Sequence, residues 1–133
     1  DATIVVNHVM HNTKWVPGHF HLYMALGACA MLFGFMYYLA KEDSAIRTNV
    51  FDKFGLAGYT IAILALGGSF LVSGALSTPR RWATHFPDWM APANFGAVAG
   101  ALAAIALTIY IIHFVRYMMM RNKQDKDVEK ISA

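Results

Sequence analysis

Charge is scarce in this sequence, and its distribution matters more than its amount. Of 133 residues, 8 are acidic and 11 basic, whereas 57% are hydrophobic, and the mean hydropathy is +0.41. The charges cluster, leaving residues 15–40, 54–79 and 89–115 without a single Asp, Glu, Lys or Arg. A soluble domain intersperses charge over its surface, so this usage is that of a membrane protein. The net charge of +3 does not point to nucleic acid, because the basic residues sit beside apolar runs and not on a polar face. One cysteine, Cys29, excludes an internal disulfide or a cysteine metal cluster, and its apolar setting makes it a small packing residue. DATIVVNHVM does not read as a secretory leader, because it lacks both a basic n-region and an apolar core. The first residue is Asp1 and not methionine, so an internal start within a longer polypeptide is expected.

What is present reads as an all-α membrane protein with three transmembrane helices. A helix needs about 20 apolar residues to cross the hydrocarbon core, and each uncharged run exceeds that. Residues 1–14 are expected to form an interfacial loop, followed by helices at 15–40, 54–79 and 89–115. The connectors are 41–53 and 80–88, and residues 116–133 form a tail. Pro17 falls in the first turn of the first helix, where its missing N–H is harmless. The glycines of the second run, Gly67, Gly68 and Gly74, and the pair Gly96 and Gly100 of the third, suit close helix approach. Ser69 and Ser73 are expected to bond back to their own helix. The tail has no apolar periodicity and is expected to be solvent-facing and partly frayed.

Counting basic residues sets sidedness. Lys14, Arg80 and Arg81 fall on one side and the other eight on the opposite side, so the positive-inside bias places the tail in the cytoplasm and the N-terminal segment outside. His113 lies near the far end of the third helix, at the opposite interface. An adjacent arginine pair on the outer side runs against that bias and calls for an anion: a lipid phosphate, a carboxylate such as Asp88, or a cofactor acid group.

The chemistry concentrates in residues 11–21, HNTKWVPGHFH. His19 and His21 lie two positions apart at the mouth of an apolar helix, and a ligating group there is a functional candidate. Positions i and i+2 project from nearly opposite helix faces. One helix could therefore ligate two ions on the order of 14–16 Å apart, from a helix diameter of about 10–12 Å plus two metal–nitrogen bonds of about 2 Å. Such a separation suits electron tunnelling. The alternative for each histidine is an ordinary hydrogen bond to backbone or water.

The histidine pair around Phe20, preceded by Pro17 and Gly18 and by His11, resembles the tenth helix of haem–copper oxygen reductase subunit I. The wording HNT-WVPGHFHL is most similar to the B family of prokaryotic terminal oxidases, and the resemblance recurs at TPRRWATHFPD, residues 78–88. It implies that the three helices are the last three of twelve, and that the chain is a fragment or one piece of a split catalytic subunit, inactive alone. The implied reaction is oxygen reduction to water at a haem facing copper, with outward proton pumping. By the same resemblance His19 is the axial ligand of the high-spin haem iron and His21 that of the low-spin haem. Arg80 and Arg81 hold haem propionates, His11 belongs to the polar network over the high-spin haem, and Trp82 either packs on the haem rings or anchors the interface. Where other oxidase families follow this histidine with an aspartate that helps hold a further divalent ion, this chain has Asn12, a weaker ligand for a hard cation.

The resemblance puts the copper ligands on earlier helices. It implies as partners the remaining helices of subunit I, subunit II and other oxidase subunits, the lipid bilayer, and cytochrome c or quinol as electron donor, in a prokaryotic plasma membrane. Two other readings fit the residues: a nitric oxide reductase of the same superfamily, and a non-catalytic haem-binding membrane subunit.

Overall fold

A computed structural model describes residues 3–41 and 50–132, so most of the connector expected at 41–53 lies outside the described residues. Among the described residues five α-helices follow in order: α1 (Ile4–Met10), α2 (Trp15–His21), α3 (Ala30–Lys41), α4 (Val50–Ala75) and α5 (Pro87–Ser132). A π-helical stretch, Leu22–Cys29, joins α2 to α3 without interruption. Three continuous rods result, Trp15–Leu39, Val50–Ala75 and Pro87–Ile131, each long and apolar enough to cross a membrane. There is no strand among the described residues.

Helix boundaries follow local chemistry. The N-terminal segment, expected as a loop, carries the short exposed helix α1. α4 stops before the uncharged run ends because Ser77 turns into the left-handed region at φ 59°. The Ser77 N–H then donates to the Gly74 carbonyl at 2.9 Å and the Thr78 N–H to the Ser73 carbonyl at 3.0 Å, closing the helix end with a Schellman pattern. α5 opens on Pro87, with Asp88 in the first turn, a placement that suits both residues.

The third helix does not end near residue 115: α5 runs for 46 residues, through residue 115 to Ser132, and takes in the segment expected as a tail. At 1.5 Å per residue it is about 69 Å long, more than twice the roughly 30 Å hydrocarbon core. Its polar end therefore extends beyond any membrane. Apolar periodicity is not needed there, because a solvated helix draws on strong helix formers such as Arg121, Lys126 and Glu129.

α4 and α5 form the tightest pair, around Tyr59, Ala62, Ile63 and Ala103. Two tyrosines tie the first rod to them. The Tyr59 hydroxyl donates to the Ala25 carbonyl at 2.9 Å and the Tyr110 hydroxyl to the Phe33 carbonyl at 3.0 Å. Ser69 bonds back to Leu66 O of its own helix at 2.7 Å. At the end opposite the histidine pair, Tyr37 donates to Asp52 at 2.7 Å and stacks on Tyr117 at 5.7 Å, while His113 stacks on Phe51 with ring centroids 5.1 Å apart.

Candidate haem-ligand site

The two polar motifs, far apart in sequence, meet at one end of the bundle. Thr13 and Pro79 form an antiparallel bridge. It is flanked by hydrogen bonds from Lys14 N–H to the Thr78 carbonyl at 2.9 Å and from Arg80 N–H to the Asn12 carbonyl at 2.8 Å. Left-handed residues stand on both sides of this junction, Asn12 at φ 65° and Arg81 at φ 64°. Thr13 is buried, and its hydroxyl donates to Met10 O at 2.7 Å while accepting from Trp15 N–H at 3.2 Å. Thr78 is fully buried too, and its hydroxyl finds no partner among the described residues.

Cationic groups gather on this junction. Arg80 donates through its guanidinium to Asn12 Oδ1 at 3.1 Å. Lys14 Nζ lies 2.7 Å from His85 Nε2; an ammonium has no acceptor, so Lys14 donates and His85 carries its proton on Nδ1. Desolvation holds Lys14 below the ordinary lysine range. Arg81 and Trp82 are exposed beside Arg80, and His11 is exposed in the preceding turn.

The rotation of α2 is set by close packing on α4. Trp15, Gly18 and Leu22 share one helical face. Trp15 lies against Gly74, so closely that a Cβ there would meet its backbone; Leu22 fills the notch at Gly67; and a Cβ on Gly18 would stand 2.9 Å from Phe70 Cβ. His19 and His21 project on either flank of this seam, about 160° apart around the axis. His19 is exposed and touches Tyr23, ring centroids 5.4 Å apart. His21 is half-buried, its ring 5.4 Å from Phe70 in an edge-on arrangement.

His21 Nδ1 lies 2.6 Å from the Pro17 carbonyl oxygen. A ring nitrogen facing a carbonyl must carry the proton, so His21 is held as the Nδ1–H tautomer and Nε2 presents its lone pair outward. That is how metal-bound histidines are oriented by a second partner. The π-helical stretch begins at the next residue, and such irregularities recur at functional sites.

The structure thus gathers Asn12, Lys14, Arg80 and Arg81 at the junction, and sets His19 and His21 one to two turns deeper along α2. His113, on α5, stands at the other end of the bundle, stacked against Phe51 in the first turn of α4. Sequence reading missed the Pro17 carbonyl, Phe70, Thr13, Thr78 and the Lys14–His85 contact. Only Pro17, four residues before His21, left a local signal. Among the described residues, no group of three or more His, Cys, Asp or Glu side chains could hold a metal ion.

Residues 1–103 match the family model described as Cytochrome C and Quinol oxidase polypeptide I. The chain is similar to cytochrome c oxidase subunit 1 of Thermus thermophilus, 26% identical over 138 aligned positions that cover 97% of this chain and 25% of that protein. It is similar to cytochrome c oxidase subunit 1 of Theileria annulata, 28% identical over 108 positions covering 80% of this chain and 22% of the relative. The chain thus spans about a quarter of the length of these two relatives. No solved structure matches it.

Proposed function

Because this chain belongs to the cytochrome c and quinol oxidase polypeptide I family, we propose that it is part of the catalytic subunit of a terminal respiratory oxidase and gives one axial histidine to each of two haems. The observation that carries this reading is the pair on the two flanks of α2, with His21 Nε2 freed for an iron by the Nδ1 contact to Pro17 O. Together with copper held by other helices, the bound haems supply electron transfer and the reduction of oxygen to water, coupled to proton translocation.

This chain's own residues bind and orient. His21 takes the low-spin iron and His19 the high-spin iron, an assignment that follows the family motif. α2, seated on Gly67 and Gly74, sets the direction in which both side chains leave the helix, and the Pro17 carbonyl holds the His21 ring, which then has little to reorganise on binding. Arg80 and Arg81 pair with propionates at the outer end, where guanidinium forks suit carboxylates. His11 and Lys14 complete the polar rim, and Trp82 packs beside it. The wording HNT-WVPGHFHL supports a B-family enzyme, and the names of both relatives support cytochrome c as donor. The partners are the remaining helices of subunit I, subunit II and the bilayer of a prokaryotic plasma membrane, with the end of α5 in the cytoplasm.

The test is a reduced-minus-oxidised spectrum of the assembled complex with and without carbon monoxide. His21→Ala should lose the low-spin signature and keep gas binding; His19→Ala should do the opposite. Reversed losses reverse the assignment, and two unperturbed haems in both variants overturn the reading.

A further inference from the structure

Asn12 holds Arg80 at two points. Its carbonyl accepts the Arg80 backbone N–H at 2.8 Å, and its side-chain oxygen accepts from the guanidinium at 3.1 Å. The backbone of Asn12 is left-handed, φ 65°, a conformation that glycine, asparagine and aspartate tolerate and bulkier residues resist. The position therefore imposes three demands: tolerance of positive φ, an acceptor reaching the guanidinium, and a net charge that suits the site. Glycine meets the first and offers no acceptor. Aspartate meets the first two but would pair with Arg80 as a carboxylate and cancel its charge. Asparagine accepts the bond and stays neutral.

We propose that Asn12 is a positioning residue that aims the Arg80 guanidinium while leaving its positive charge available to a haem propionate. The inference rests on the oxidase reading, and specifically on Arg80 facing a propionate. A carboxylate in the same place would keep the geometry and lose the field, so neutrality at residue 12 sets haem potential through Arg80. A positive charge near a haem favours the reduced form, since the added electron is attracted to it. Removing or neutralising that charge lowers the potential.

The experiment is a redox titration of both haems in the assembled complex, comparing wild type with Arg80→Ala, Asn12→Asp, Asn12→Gly and the double variant Asn12→Gly/Arg80→Ala. Both Asn12 substitutions suit the left-handed backbone, so the junction is kept. Arg80→Ala should lower the potential of at least one haem, and Asn12→Asp should lower the same haem by a comparable amount. Asn12→Gly should lower it less, and should add nothing once Arg80 is gone. Potentials that move in Arg80→Ala but stay at wild-type values in both Asn12 variants overturn the positioning role and leave the oxidase reading standing. An Asn12→Gly shift of equal size with and without Arg80 overturns it as well, since Asn12 would then act by another route. Arg80→Ala without effect on either haem removes the propionate contact, and this inference with it. Should Asn12→Asp fail to assemble, the glycine variant and the double variant still decide.

Discussion

Arg81 stands in a backbone conformation that an arginine does not choose. At φ 64°, a non-glycine residue carries strain of about 1–3 kcal/mol, so its side chain is kept for something glycine cannot supply. Removing charge and removing strain can be separated there. Arg81→Gly should leave the complex as stable as wild type or more so while lowering haem potential; Arg81→Ala should lower both. A redox titration paired with thermal denaturation checks this, and unchanged potentials in both variants would return Arg81 to a lipid-phosphate role. At this scale the placement of His19 and His21 on opposite flanks of one helix was legible, because positions i and i+2 are separated by a fixed rotation that the sequence states directly. The Pro17 carbonyl behind His21 was not, since it depends on which ring nitrogen holds the proton. Nor was the meeting of Asn12 with Arg80, which rests on a bridge between residues distant in the chain.

At the scale of the helix, the seam between α2 and α4 sets the rotation of the helix that carries His19 and His21, and its glycines are not equivalent. A Cβ at Gly74 would meet the backbone of Trp15, which cannot move without lifting the helix, whereas a Cβ at Gly67 would meet Leu22 Cδ2 at 2.5 Å, the far end of a flexible side chain. At Gly68 a Cβ would meet nothing within 4 Å. Overpacking costs about 1–3 kcal/mol. Gly74→Ala should fall within that range and disturb the low-spin spectrum, Gly67→Ala should cost less, and Gly68→Ala should be neutral. Denaturant titration of the complex with spectra gives the order, and equal effects at residues 74 and 68 would break the seam argument. The π-helical stretch is the second control. Tyr59→Phe removes the bond to Ala25 O and should cost about 0.6 kcal/mol, the usual size of such a bond between membrane helices. The three rods were legible from missing charge, which the bilayer enforces. The π stretch was not, because Leu22–Cys29 is apolar throughout and carries no periodicity to betray the change. The helical tail was not, because a solvated helix needs no apolar face.

For the molecule as a whole, the three rods leave most of their apolar surface bare. In an apolar 18-residue stretch of the first rod no residue is buried, and in the corresponding stretches of the second and third rods 33% and 22% are. Exposed side chains such as Phe20, Phe35, Phe95 and Leu102 then need lipid or further helices. Sidedness belongs to this scale: the bridge between Thr13 and Pro79 keeps Lys14, Arg80 and Arg81 at one end, and the basic end of α5 leaves from the other. Protease added to right-side-out vesicles should therefore spare the end of α5, and its cleavage would overturn the orientation. Haem retention tests the architecture more severely. On the proposed reading α2 offers each iron a single histidine; His19 is exposed, and one ligand on an open face cannot exclude water or fix an orientation. These 133 residues expressed alone should thus bind no haem with a native spectrum, while co-expression with the rest of the subunit should restore both haems. A spectrally native preparation of this chain by itself would show that the three helices complete the pockets without partners, and the reading of the chain as one part of a larger subunit would fall.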